Sequence, residues 1–290
     1  MTRLLDRIAA APISWGVCEV PGWGHQLPRA RVLDEMRGLG LRATEFGPDG
    51  FLPAAPTDRA RALAAHGLAA VGGFVPVVLH DSTRDPVKEV EAALEAFAGA
   101  GVLVLAAATG LDGYDTRPTL TDAGWRVLLR NLDRLTELGA EHGIRAALHP
   151  HVGTMVERED EVRRVLDGSS VPLCLDTGHL LIGGTDPAAL AREATGRIAH
   201  THLKDVDAAL AARVRSGDST YTAAVAAGMY RPLGQGDVDI AGIVATLEEV
   251  GYQGWYVLEQ DTILPAAPSP GEPGPLADVR ASVEYLRGLA

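Results

Sequence analysis

Short, nearly unbroken apolar runs alternate with longer stretches whose apolar residues recur at helical spacing, from one end of the chain to the other. The first run covers residues 8–17 (IAAAPISWGV), and a helical pattern follows over 29–39 with Val32, Leu33, Met36 and Leu39 on one face. Residues 41–46 read as a second strand and 57–66 as its helix, with Thr57 as N-cap and Gly67 as stop. Strands are then expected at 69–77, 102–107, 144–148, 171–175, 198–203 and 252–258. Helices are expected near 86–98, 121–142, 157–166, 187–193, 240–250 and 277–289, with Gly143 ending the fourth and Asp239 capping the seventh.

Eight strand–helix units result. Continuous apolar strands are what a parallel sheet covered on both faces requires, and right-handed crossovers repeated eight times close into a barrel. The expected architecture is a single-domain (β/α)₈ TIM barrel spanning 1–290, with a long insertion at 206–236 after the seventh strand. A doubly wound open sheet fits less well, because no glycine-rich phosphate turn follows the first strand. Residues 264–275 (LPAAPSPGEPGP) read as a surface loop, and GQGDVD at 234–239 as a tight turn into the seventh helix.

Composition narrows the chemistry. The chain has 290 residues, 47% of them hydrophobic, and a formal net charge of −12, so a folded acidic protein is expected. Such a surface repels phosphate backbones and anionic lipid, which argues against nucleic acid and membranes as partners. No apolar run is long enough for a membrane span or a secretory leader, and the two cysteines, Cys18 and Cys174, read as small core residues. A cytoplasmic enzyme with a small-molecule polyol or sugar substrate is the expectation, and a homo-oligomer is compatible with it.

In a (β/α)₈ barrel the working groups stand at the C-terminal ends of strands. Five of the nine histidines fall there: His149 and His151 after the fifth strand, His179 after the sixth, His200 and His202 on the seventh. Asp176, Lys204, Asp205, Glu259 and Asp261 join them, with Glu45 at the second exit, Trp15 and Glu19 at the first, and His80 with Asp81 at the third. His149, Asp176, His202 and Glu259 read as ligands of a divalent ion. Mixed imidazole and carboxylate donors suit a borderline divalent ion such as Mn²⁺, Co²⁺, Zn²⁺ or Fe²⁺, and Mg²⁺ less well, with Mn²⁺ or Co²⁺ the leading expectation. The plainer alternatives are a helix cap for Asp176 and hydrogen-bonded core positions for the histidines. His151, His179, Lys204 and Glu45 are the candidate proton carriers; surface ion pairs or turn roles are the alternatives for His151, Lys204 and Glu45, and His179 also reads as a contact to substrate or to a metal ligand.

Seven motifs in order, APISWGVCEVPGWG, ATEFGPDGFLP, HPHVGTMVE, LDTGHL, HTHLKDV, GMYRPLGQGDVDI and GWYVLEQD, carry a resemblance. Along nearly its whole length the chain resembles the xylose isomerase-like TIM barrel superfamily, and within it the inosose (2-keto-myo-inositol) dehydratases. The resemblance implies a metal held by Glu, Asp, His and Glu on strands five to eight. Asp176, His202 and Glu259 match the last three positions, and His149 stands where a glutamate is expected. That departure removes one of the two opposed carboxylates used by related isomerases and epimerases. It shifts the expectation toward a metal-dependent lyase dehydrating a cyclic polyol ketone. Ketose isomerisation or epimerisation is the alternative; a nuclease of the same superfamily and a non-enzymatic sugar-sensing barrel stand further off.

Overall fold

The apolar runs pair as parallel strands and the amphipathic stretches wrap them as helices, in a computed structural model that describes residues 4–97, 100–269, 271–272 and 274–290. The strands are β1 (Ile8–Ala10), β2 (Ala43–Thr44), β3 (Ala69–Ala70), β4 (Gly72–Val77), β5 (Val102–Ala107), β6 (Arg145–Leu148), β7 (Leu173–Asp176), β8 (Ile198–Leu203), β9 (Asp205–Val206), β10 (Tyr230–Arg231) and β11 (Tyr256–Leu258). Nine of them form one sheet in the order β3-β2-β1-β11-β8-β7-β6-β5-β4. The two ends of that order are halves of one strand, interrupted at Val71. The Val71 amide donates to the Thr44 carbonyl at 3.0 Å on one side, and its carbonyl accepts from the Gly101 amide at 3.0 Å on the other. The sheet thus closes on itself as the expected barrel, with β3 and β4 together as its third strand and β6, β7, β8 and β11 as its fifth to eighth.

The helices are α1 (Arg29–Gly38), α2 (Pro56–Ala64), α3 (Pro86–Glu95), α4 (Asp122–Glu141), α5 (Glu159–Gly168), α6 (Thr177–Gly183), α7 (Pro187–Glu193), α8 (Ala208–Ser216), α9 (Tyr221–Ala226), α10 (Ile240–Glu249) and α11 (Pro275–Gly288). Asp239 caps α10 by accepting from the Gly242 amide at 2.9 Å, and Gly143 ends α4 at φ +69°, as their sequence positions suggest. Elsewhere the boundaries move. The first strand stops at Ala10 rather than at residue 17, because Pro12 has no N–H to give a neighbour and opens the 3₁₀ turn Pro12–Trp15. Thr57 is not an N-cap: α2 begins one residue earlier with Pro56 at its first position and Ala55 before it. The eighth strand is shorter than residues 252–258, starting at Tyr256. Ala98, the expected last residue of the third helix, lies outside the described residues, as do 270 and 273 of the surface loop.

Most apolar side chains fill the space between sheet and helices. Two smaller clusters, Ala9, Ala11, Ala43, Val71 and Val257, and Val102, Val104, Ala147, Cys174 and Ala199, are separate from that core. Ala147, Cys174 and Val257 each lie two residues before His149, Asp176 and Glu259. Strand alternation therefore stacks an apolar layer inside the barrel beneath the polar mouth.

The segment expected as a long insertion folds as α8, α9 and the antiparallel pair β9–β10, with Val206 opposite Tyr230. Asp205 holds its base. One carboxylate oxygen accepts from the Val206 and Val238 amides at 2.9 and 3.0 Å, the other from Gly234 and Gly236 at 2.8 and 2.9 Å. The GQGDVD turn is thus wrapped around a buried carboxylate. Asp205→Ala would strand these amide donors and is expected to cost about 3 kcal/mol or more in a urea titration. An unchanged midpoint would remove Asp205 from that role.

Candidate active site

Strand periodicity delivers the polar residues to one place. His200, His202 and Lys204 lie at alternate positions on and just beyond β8, so their side chains climb the inside of the barrel toward its mouth. Glu259 and Asp261 do the same beyond β11, and Asp176 ends β7 in register with His202. All six are buried, although they carry charge or can accept it.

Asp176 has two tasks. Its Oδ1 accepts from the Gly178 and His179 amides at 3.0 and 2.8 Å and so caps α6, while Oδ2 faces the barrel interior. The helix-cap and ion-ligand readings of the sequence are therefore compatible. Oδ2 lies 3.0 Å from His149 Nε2 and 3.5 Å from His202 Nδ1. His202 Nδ1 is also 3.2 Å from Glu259 Oε2. Asp176, His202 and Glu259 each offer a ligand atom within 4.8 Å of the others. His202 Nδ1 is buried between those two carboxylates and makes no contact of full hydrogen-bond geometry with either.

The charges fit the same reading. Four buried carboxyl groups, Glu45, Asp176, Glu259 and Asp261, face the ammonium of Lys204 and the imidazole of His202. Burial alone would neutralise the carboxylates, yet the ammonium of Lys204 and the hydrogen bond from His149 hold Asp176 well below its ordinary pKa, and His202 and Lys204 lower Glu259. Burial opposes charge on His202, but the Cys174 sulfur and the carboxylates of Glu259 and Glu45 hold its pKa well above 6.5. The surplus negative charge suits a divalent ion.

Glu45 sits beneath the histidines, its Oε1 2.7 Å from His200 Nε2 and 3.0 Å from His202 Nε2. This is the carboxylate–histidine pairing that orients a metal-binding imidazole. Against burial, the charge of His202 and the hydrogen bond from His200 keep Glu45 ionised.

Lys204 Nζ lies 2.6 Å from Asp261 Oδ1, 3.0 Å from Glu259 Oε2 and from His179 Nε2, and 3.5 Å from Asp176 Oδ2. Burial would strip its proton, but Asp176, Asp261 and Glu259 hold its pKa well above the ordinary value. The backbone makes room for it: a Cβ at Gly178 would lie 2.7 Å from Lys204 Cβ. His151 Nδ1 donates to the Val152 carbonyl at 2.6 Å, which leaves Nε2 as an acceptor. Burial, with the neighbouring His149 and Lys204, pushes its pKa well below 6.5. His179 stacks on it at 3.7 Å between ring centroids and is likewise held neutral by burial.

A cavity of about 470 Å³ opens above these groups. Glu45, His149, His151, His202, Lys204, Glu259 and Asp261 line one side, and Ile13, Val17, Trp23, Phe74 and Pro76 the other. Asp176 and His179 lie behind the lining. Glu19 reaches the rim, where it accepts from the Tyr114 hydroxyl. Trp15 does not reach the cavity; its indole N–H is bound to Glu35 at 2.7 Å.

The sequence reading missed Tyr114, Tyr221 and Tyr230. Tyr114 lies over His151 at 4.6 Å, and Tyr221 donates to Asp261 Oδ2 at 2.5 Å and meets the Tyr230 hydroxyl at 2.9 Å. The available signal was scarcity: the chain has six tyrosines, and three of them gather here.

The family described as xylose isomerase-like TIM barrel matches residues 33–289. The chain is 34% identical to the rhizopine catabolism protein MocC of Rhizobium meliloti, over 98% of this chain and 88% of that one. It is 32% identical to the inosose dehydratase of Geobacillus kaustophilus, over 98% and 94%. Among solved structures it superposes on the IOLI protein with a binding zinc atom at a TM-score of 0.65, with 13% identity and 98% of each chain covered.

Proposed function

We propose, for a chain that belongs to the xylose isomerase-like TIM barrel family, that its mouth is the site of a metal-dependent carbon–oxygen lyase dehydrating an inosose-like cyclic polyol ketone. The observation that carries this is the convergence of ligand atoms from Asp176, His202 and Glu259 within 4.8 Å of one another at the barrel mouth, with the His149 imidazole 3.0 Å from Asp176 Oδ2. The inosose dehydratase relative at 32% identity supports the substrate class, and the zinc-bearing neighbour supports a divalent ion. His149, Asp176, His202 and Glu259 would hold a divalent ion, their imidazole and carboxylate donors suiting Mn²⁺, Co²⁺, Zn²⁺ or Fe²⁺ and Mg²⁺ less well. When bound there, the ion supplies Lewis-acid polarisation of the ketone oxygen, which acidifies the neighbouring C–H.

The acid and base follow from the opposed environments of two cavity residues. His151 is neutral with Nε2 free and takes the proton from the carbon beside the carbonyl. Lys204 is an ammonium and gives a proton to the β-hydroxyl, which leaves as water. Glu45 keeps His202 oriented, and His179 buttresses both proton carriers. Epimerisation needs a second base opposite the first across the ring; with His149 in the place of a glutamate, that pair is missing.

The test is incubation of metal-loaded protein with 2-keto-myo-inositol, following the ultraviolet absorbance of a conjugated dione. Absorbance should grow, and a chelator should abolish the growth. Solvent deuterium entering the substrate without water loss would replace the lyase by an isomerase or epimerase.

A further inference from the structure

Lys204 stands where it competes with a metal ion. Its ammonium is 3.0 Å from Glu259 Oε2 and 3.5 Å from Asp176 Oδ2, the same two oxygens that face His202 Nδ1. A divalent ion drawn to those oxygens repels an ammonium at this range strongly, since little water screens a buried pair. An ammonium with no other partner would either exclude the ion or be driven from the cavity. Asp261 offers the alternative berth, with Oδ1 at 2.6 Å, the shortest contact Lys204 makes. The other oxygen of Asp261 is fixed by the Tyr221 hydroxyl at 2.5 Å, and that hydroxyl is 2.9 Å from Tyr230.

Tyr221 is itself pinned. It is the first residue of α9, and its amide donates to Asp115 Oδ1 at 2.8 Å, while the Thr222 hydroxyl donates to the other Asp115 oxygen at 3.2 Å. A loop after β5 thereby sets the position of a ring that reaches the far side of the mouth. The ring is buried, with Tyr114 edge-on at 6.0 Å and Trp23 at 6.5 Å.

We propose that Tyr221 and Asp261 are positioning residues that draw Lys204 off the metal carboxylates, so that the ammonium and the divalent ion occupy the mouth together. This rests on the metal reading above. Tyr221 adds no charge and touches none of the four expected ligands. Its influence on the ion passes through Asp261 and Lys204, and a variant lacking its hydroxyl isolates that influence.

The test is a double-mutant cycle read as Mn²⁺ affinity by calorimetry on the full chain, with no substrate and no turnover. Tyr221→Phe should weaken Mn²⁺ binding roughly fivefold to tenfold, the net scale of one typical hydrogen bond. Lys204→Met should tighten binding by removing the competitor. In the Lys204→Met background, Tyr221→Phe should change affinity by less than about twofold. Asp261→Asn, a second variant of conserved shape, should weaken binding more in the wild-type background than in Lys204→Met. Equal losses from Tyr221→Phe in both backgrounds, or none in the wild type, would overturn the proposal and leave the metal reading standing. Wild-type protein that takes up no Mn²⁺ would overturn both.

Discussion

Replacing His202 with alanine is expected to remove the metal and the activity together. Its Nδ1 is buried between Asp176 and Glu259 without full hydrogen-bond geometry to either, and its Nε2 is held by Glu45 at 3.0 Å. Without the imidazole, Asp176 and Glu259 lose the nitrogen between them, and Glu45 keeps only His200 at 2.7 Å. Lewis-acid stabilisation is worth several kcal/mol, so kcat/KM should fall on the order of 10³-fold or more. Elemental analysis should show metal content falling in parallel. Full occupancy in this variant would contradict the ligand assignment, whatever its activity.

Lys204→Met should separate the two losses. The variant keeps all four expected ligands and removes the ammonium, so the metal should stay while kcat drops roughly 10²- to 10⁴-fold, the range for a lost proton carrier. Methionine fills much of the space of the lysine stem, which limits the cavity left behind. Near-normal kcat in metal-loaded Lys204→Met would move the acid role to another group lining the cavity. Loss of metal from it would mean that Lys204 supports the site rather than competing with it.

The barrel was legible because its strands are buried on both faces and its helices are not, so two kinds of apolar pattern alternate without ambiguity. Strand ends were harder. Residues 8–17 look uniformly apolar, but the missing N–H of Pro12 breaks the run, and hydrophobicity does not register a lost donor. Thr57 has the right side chain for a cap, yet Pro56 is pre-shaped for the first helical turn and moves the start. The candidate ligands were readable from position, since strand ends of a parallel barrel share one face. Which of them meet across the barrel was not. Glu45 is near His202 only because closure brings β2 and β8 to a common interior, 157 residues apart in the chain. Tyr221 was hidden for a different reason: it opens a short alanine-rich helix in an irregular segment, where no periodicity marks a residue as inward-facing.

The shared carboxylate of Asp176 bears on how readily the site can take up an ion. Two amides of α6 hold one of its oxygens, so the angle of the other is set by the helix before any ligand arrives. Uptake at this position requires no rotamer search, and the strain of a poorly sized ion cannot be relieved by swinging the side chain. Selectivity among divalent ions should accordingly be governed by the freer Glu259, and a glutamate at 176, one methylene longer, would have to give up either the helix or the ion.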